Sequence, residues 1–166
     1  MSSSALAWCQ QRLPEVSRSF ALGIQSLPEP YEAWITVGYL LCRVVDTLED
    51  NPHLSEQERQ ALFAAFQAAL DGGEVAPFVS SIHPLGEGPD VRVCQGLDQV
   101  LTLMETFPPQ VVASLRTWVG EMTRGMALYA SRRARVEGRV VLRDVGDLDR
   151  YCYFVAGTVG HLLTDL

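Results

Sequence analysis

The sequence has no Cys-x-x-Cys pair. Its four cysteines (Cys9, Cys42, Cys94 and Cys152) show no zinc-ligand spacing, and two of them lie inside apolar runs. They read as reduced thiols of a cytosolic protein, packed as small apolar residues. Positive charge is also scarce: 13 Lys and Arg stand against 20 Asp and Glu, for a net charge of -7. A chain this acidic lacks the basic face of a phosphate-backbone binder, so nucleic acid is not an expected partner. A small anion carried with metal ions stays open. No stretch approaches the roughly 20 apolar residues of a spanning helix. The N-terminal MSSSALAWCQQRLPEVSR lacks the apolar core of a signal peptide. The expected setting is cytoplasmic, with at most peripheral membrane contact. There is no internal repeat, and strand-like character is confined to VEGRVVLRD, read as a short extended piece.

What is present is a helical pattern. With 166 residues and 48% hydrophobic content the chain can bury one core. Pro30 suits a first helical position, and YEAWITVGYLLCRVVDTLED then reads as one helix stopped by Asn51-Pro52. Ser55 and Glu58 form a capping box that opens EQERQALFAAFQAAL, which Gly72-Gly73 closes. Residues 71–90 are rich in Gly and Pro and read as a surface loop. A helical pattern runs from about Asp90 to Thr106. Pro108-Pro109 interrupts it, and QVVASLRTWVGEMTRGMALYAS forms another long helix. Asp144 or Asp147 can cap a last helix, LDRYCYFVAGTVGHLLTDL. The class is all-α, with five or six helices. The apolar pattern still runs at HLLTDL, so residues 1–166 are expected to be the N-terminal portion of a single larger helical domain.

YLLCRVVDTLED carries the first functional signal. Tyr39, Arg43, Asp46 and Asp50 are spaced 4, 3 and 4. At 100° per residue they share a stripe about 60° wide, with Glu49 beside it on the same last turn. Two readings fit. Arg43 can pair with Asp46 or Asp50 on a solvated face, for only about 0.2–0.5 kcal/mol. Alternatively, Asp-x-x-x-Asp holds Mg²⁺, which takes one or two carboxylates plus waters and phosphate oxygens, and Arg43 grips a diphosphate. A solvated face usually carries Lys, Gln or Ser, and this helix has none after Thr36 until Thr47.

Two further segments are ambiguous alone. SRSF places Arg18 between Ser17 and Ser19, which suits phosphate contact, while Phe20 suits a hydrocarbon. YCYFVAGTVGHLL puts Tyr151, Val155, Thr158 and Leu162 on one stripe, with Ala156, Gly157 and Gly160 on an adjacent side. Each helical Gly costs about 1 kcal/mol relative to Ala, so a close neighbour or ligand is expected at those glycines.

Taken together and in this order, SRSFALGIQSLP, YLLCRVVDTLED and YCYFVAGTVGHLL resemble the squalene/phytoene synthases, with the GMA of Gly125–Ala127 as a further landmark. The likeness runs from about Ser17 to Leu166 and is nearer the squalene branch. It implies the isoprenoid-synthase helical bundle, here its N-terminal part. It also implies head-to-head condensation of two prenyl diphosphates, with farnesyl diphosphate the expected substrate, through a cyclopropyl intermediate to squalene or a related C30 product. The phytoene or dehydrosqualene type of synthase, and a non-catalytic interaction module that keeps the fold, stay as alternatives. By the resemblance Asp46, Glu49 and Asp50 carry Mg²⁺. Arg18 and Arg43 contact diphosphate or, in the squalene branch, NADPH. Ser17, Phe20, Tyr39 and Val155 line the substrate pocket, and Tyr151 serves the first half-reaction. The family's second aspartate-rich motif does not occur here: after Tyr151 the acid is Asp165 alone. A further carboxylate helix, from a missing C-terminal half or a complementary chain, is therefore an expected partner, and residues 1–166 alone are expected to be inactive.

Other sites are excluded. Gly86-x-Gly88 has no third glycine and no Lys-Ser/Thr, which rules out a nucleotide loop. A di-metal bundle needs inward Glu-x-x-His pairs. His53 follows Asp50 at that spacing, but Pro52 intervenes.

Overall fold

The computed structural model describes residues 2–17, 19–133 and 142–166, and the described residues are helical with no strand. Ten helices follow in order: α1 (Ser2–Val16), α2 (Phe20–Gln25), α3 (Tyr31–Asp50), α4 (Glu56–Leu70), α5 (Ala76–Ser81), α6 (Pro89–Gln95), α7 (Leu97–Met104), α8 (Pro109–Arg133), α9 (Val145–Cys152) and α10 (Thr158–Asp165). A 3₁₀ turn, His83–Leu85, precedes α6, and a π-helical turn, Tyr153–Gly157, joins α9 to α10. The all-α expectation holds, with more and shorter helices than five or six.

Helices α3 and α8 form the centre. α3 packs on α1, α6, α7 and α8, while α8 also packs on α4 and α10. The apolar faces of α3 explain why. Val37, Leu40, Leu41, Val44, Val45 and Leu48 are fully buried, each such side chain adding about 1.5–3 kcal/mol of transfer free energy. That leaves one stripe of α3 for polar residues.

Both ends of α3 follow local chemistry. Pro30 stands one place earlier than expected, at the N-cap. At the other end Asn51 turns extended before Pro52. The last carbonyls of a helix need partners, and Arg59 of α4 supplies them. Its guanidinium donates to the carbonyls of Leu48, of Glu49 at 2.6 Å, of Asn51 at 2.9 Å and of Leu54 at 3.2 Å. The Ser55/Glu58 capping box is present and starts α4, so that Arg59 is aimed correctly.

Two expectations are corrected. Residues 71–90 are not only loop: Phe78, Ile82 and Leu85 are buried and pin α5 and the 3₁₀ turn to the core. The pattern from Asp90 to Thr106 breaks at Gly96, where an added Cβ would lie 2.1 Å from the Trp8 ring. The VEGRVVLRD piece falls largely outside the described residues. Asp144 is the cap of α9, accepting from the Asp147 N–H at 2.8 Å, while Asp147 itself turns inward and is buried.

Candidate functional site

The α3 stripe exists as a bonded row. The Arg43 guanidinium donates to the Tyr39 hydroxyl at 2.8 Å, and that hydroxyl donates in turn to the Val16 carbonyl at 3.4 Å. Two carboxylates flank the same guanidinium at longer range, Asp46 at 3.9 Å and Asp90 at 3.8 Å. Burial works against the Arg43 charge, yet Tyr39, Asp46 and Asp90 together hold its pKa above the ordinary value. Burial pushes the Asp46 carboxyl up to about 6, against the pull of Arg43 and with the help of Asp50 and Asp90. The helix therefore presents a cation with donors to spare beside an acid short of counter-charge.

Two cavities meet at this point. One, of about 410 Å³, is apolar and is lined by Phe20, Tyr39, Met122, Val155, Val159 and Leu162 among others, with Arg43 and Asp46 at its polar end. Its size falls within the roughly 300–1,000 Å³ range of small-molecule sites. The second, of about 330 Å³, is polar and includes Arg43, Asp46, Asp50, Glu87 and Asp90. Arg43 and Asp46 belong to both, so one turn of α3 is the border between an oily compartment and a charged one. Cys42 also lines the apolar cavity, but burial pushes its thiol up to about 12, which leaves it unreactive at neutral pH.

The sequence-predicted residues divide. Phe20, Tyr39, Arg43, Asp46 and Val155 share the apolar cavity, and Asp50 joins the polar one. Glu49 is buried and lines neither. Ser17 is buried too, its hydroxyl accepting from the Phe20 N–H at 3.2 Å, so it shapes the entry to α2 and does not line the cavity. Arg18 lies outside the described residues. Tyr151 is half-buried with its ring edge-on to Tyr129, centroids 5.0 Å apart, and lines neither cavity. The glycine expectation splits. Gly157 meets the Tyr153 ring at 3.1 Å from its Cβ position, whereas Gly160 faces open space. The close approach is at Gly125, whose Cβ would lie 2.0 Å from the Phe154 ring, so the GMA segment seats the π-helical turn.

Sequence reading missed Asp90 and Arg59. Asp90 was legible only as a helix start, and Arg59 only as one charge in an amphipathic helix. An arginine set between Leu54 and Leu62 is the sequence signal that could have marked the latter.

Among the described residues no group of three or more His, Cys, Asp or Glu could hold a metal ion. The donor set instead fits a cation that takes few protein ligands. Asp46 and Asp50 lie one turn apart on one cavity wall, and Mg²⁺ commonly uses one or two carboxylates, keeping its other positions for water and phosphate. Burial is the main cause of the raised Asp46 pKa, and Asp50 and Asp90 add to it against the pull of Arg43, so a bound cation would relieve that carboxylate.

Residues 13–166 match the family model described as squalene/phytoene synthase. Botryococcus squalene synthase from Botryococcus braunii is 32% identical over 156 residues, covering 93% of this chain and 30% of that protein. The squalene synthase of Homo sapiens is 26% identical over 168 residues, 95% of this chain and 34% of that protein. The solved complex of TcSQS with the ligand E5700 superimposes with a TM-score of 0.72 at 26% identity, over 97% of this chain and 43% of that one. The chain thus spans about a third of the length of the curated relatives it matches.

Proposed function

The chain belongs to the squalene/phytoene synthase family, and from that premise we propose that it supplies the first-motif wall of a prenyl diphosphate site. The reaction is head-to-head condensation of two farnesyl diphosphates toward squalene. The observation that carries this reading is the border at Arg43 and Asp46, where an apolar cavity opens onto a charged one. A prenyl diphosphate has the same division, a hydrocarbon chain ending in a polyanion.

Each residue has a task in this proposal. Arg43 turns its unused N–H donors to phosphate oxygens, the bonds it is best shaped to make. Asp46 and Asp50 hold Mg²⁺, which when bound supplies the positive charge that neutralises a departing diphosphate. Stabilising charge that develops on the leaving group is usually the largest catalytic term. The allylic carbon left behind is electron-poor. Phe20 and Tyr39, ring centroids 6.0 Å apart, offer it aromatic faces, and the Tyr39 hydroxyl is already engaged by Arg43 and the Val16 carbonyl. The apolar lining from Val155, Val159 and Leu162 excludes water. The family resemblance gives Tyr151 the task of taking up or returning a proton through its hydroxyl, from a position beside the cavity and not in its lining. In the complete enzyme NADPH would supply the reducing hydride, with Arg43 the described residue that would meet its phosphate, and a second carboxylate helix would close the site from elsewhere. No described helix is long and apolar enough to cross a membrane.

The test uses the complete protein with farnesyl diphosphate and Mg²⁺, with and without NADPH, followed by product identification. A cyclopropyl diphosphate without NADPH and squalene with it are expected. A desaturated product would move the protein to the phytoene or dehydrosqualene type. Tight binding with no turnover in either condition would make it an interaction module that keeps the fold.

A further inference from the structure

A buried polar cluster lies where α8 meets α9, outside the lining of both cavities. Tyr129 is fully buried and Asp147 nearly so. The Tyr129 hydroxyl donates to Asp147 Oδ1 at 2.8 Å. Arg132 places one guanidinium nitrogen 2.9 Å and 3.0 Å from the two Asp147 carboxylate oxygens. The Arg143 N–H donates to Asp147 Oδ2 at 3.1 Å. The same guanidinium stacks over the Tyr129 ring, 4.6 Å from its centroid. With Arg132 foremost, then the Arg143 N–H and Tyr129, these donors hold the Asp147 carboxyl well below the usual carboxylate range.

We infer that the Tyr129–Asp147–Arg132 cluster is a positioning device for Tyr151, fixing the rotation of α9 and with it the place of the Tyr151 hydroxyl. The inference rests on the catalytic reading of Tyr151 given above. Asp147 and Tyr151 are four residues apart on α9 and therefore share a face. Both meet Tyr129: one through its hydroxyl, the other through its ring at 5.0 Å and an interplanar angle of 64°. Phe154 touches the same ring at 6.4 Å. The π-helical turn begins immediately after α9, and it carries Val155 and Ala156 into the apolar cavity. A small rotation of α9 would displace Tyr151 and that lining together.

Stability alone is a poor explanation for the cluster. A buried ion pair is often matched or bettered by apolar residues of the same volume. Directional bonds do something that apolar contact does not. A carboxylate accepting from two side chains and a backbone N–H allows one orientation, whereas packed methyl groups tolerate sliding. Neither Tyr129, Arg132 nor Asp147 lines either of the two cavities, so their effect on turnover passes through another residue.

A double-mutant cycle on turnover in the complete enzyme tests this. Tyr129→Phe keeps the ring and removes the hydroxyl. It should lower kcat at least about tenfold with KM for farnesyl diphosphate changed less than about threefold. In a Tyr151→Phe background the same substitution should cost less than about twofold, because the residue it acts through is already disabled. Arg132→Lys, which keeps the charge and loses the planar guanidinium over the Tyr129 ring, is carried through the same cycle and decides the matter if Tyr129→Phe does not fold. Equal losses in both backgrounds, or a single-variant loss below about twofold, would overturn the inference and leave the cluster structural. Full turnover in Tyr151→Phe alone would remove the premise about Tyr151. The diphosphate reading would survive that result, since Asp46→Asn tests it separately.

Discussion

Asp46 and Asp147 are both helical aspartates with an arginine nearby, and the chain treats them in opposite ways. The Asp147 side chain is 4% exposed and receives donors from Arg132, the Arg143 N–H and Tyr129, which hold it ionised. The Asp46 side chain is 36% exposed, its nearest cation is 3.9 Å away, and its pKa rises to about 6. Asp147 has its charge answered inside the chain. Asp46 does not, and Asp50 and Asp90 worsen its position. A carboxylate kept in an unfavourable place beside a cavity is a mark of function, whereas a fully answered one is a mark of architecture.

The largest effect should come from the unanswered side. Asp46→Asn or Asp50→Asn in the complete enzyme should lower turnover at least about a hundredfold while the melting temperature stays near that of the parent. Steady-state kinetics and a thermal melt on the same preparation check it. Near-normal turnover in both variants would erase the functional half of the comparison.

Arg59 sharpens the contrast because it serves the functional helix by architectural means. Replacing it by Gln removes charged hydrogen bonds to the end carbonyls of α3. The expected loss is about 3 kcal/mol of stability, measured by denaturant unfolding. A variant as stable as the parent would show that the turn carrying Asp46 and Asp50 holds itself.

Asp147 tests the answered side. Asp147→Asn should lower the melting temperature by several degrees at pH 7. A depressed carboxylate pKa contributes stability above the unfolded Asp range and loses it as pH falls toward the folded value. The deficit of the variant should therefore be full at neutral pH and shrink below about pH 4, where the parent begins to lose the same contribution. A deficit that does not change with pH would mean that shape, and not charge, is what Asp147 provides.

How much of this was readable beforehand depends on the range of the interaction. The α3 stripe needed only the 4-3-4 spacing, and the start of α4 only Ser55 and Glu58, because helix geometry and capping are local. The short helix α5 was hidden by flanking Gly and Pro, although Phe78 and Ile82 were there to anchor it. Asp90 reaches Arg43 from another helix, and Tyr129 reaches Asp147 from α8. No periodicity encodes such pairs. The choice between Asp144 and Asp147 as cap was open for the same reason: both suit an N-terminus, and only the position of Arg132 and Tyr129 sends Asp147 inward.

The smallest predicted effect has an unusual sign, and it follows from the same raised pKa. In the metal-free protein Asp46→Asn should be slightly more stable than the parent at pH 8. A carboxyl whose folded pKa is about 6, against roughly 3.9 unfolded, binds its proton more tightly in the native state. The parent therefore loses stability as pH rises through that interval and recovers it as pH falls. Asn has no such charge to desolvate. Because Asp46 is more than a third exposed, solvent screening reduces the full linkage value, and about 1 kcal/mol is expected above pH 6. The difference should vanish below about pH 4, where both side chains are neutral. Adding Mg²⁺ with inorganic pyrophosphate at pH 8 should reverse the order, since only the parent keeps the full carboxylate pair to bind them and ligand binding stabilises the native state. An Asn variant less stable than the parent at pH 8 without metal would mean that Arg43 already answers Asp46, and the distinction between the two aspartates would fail.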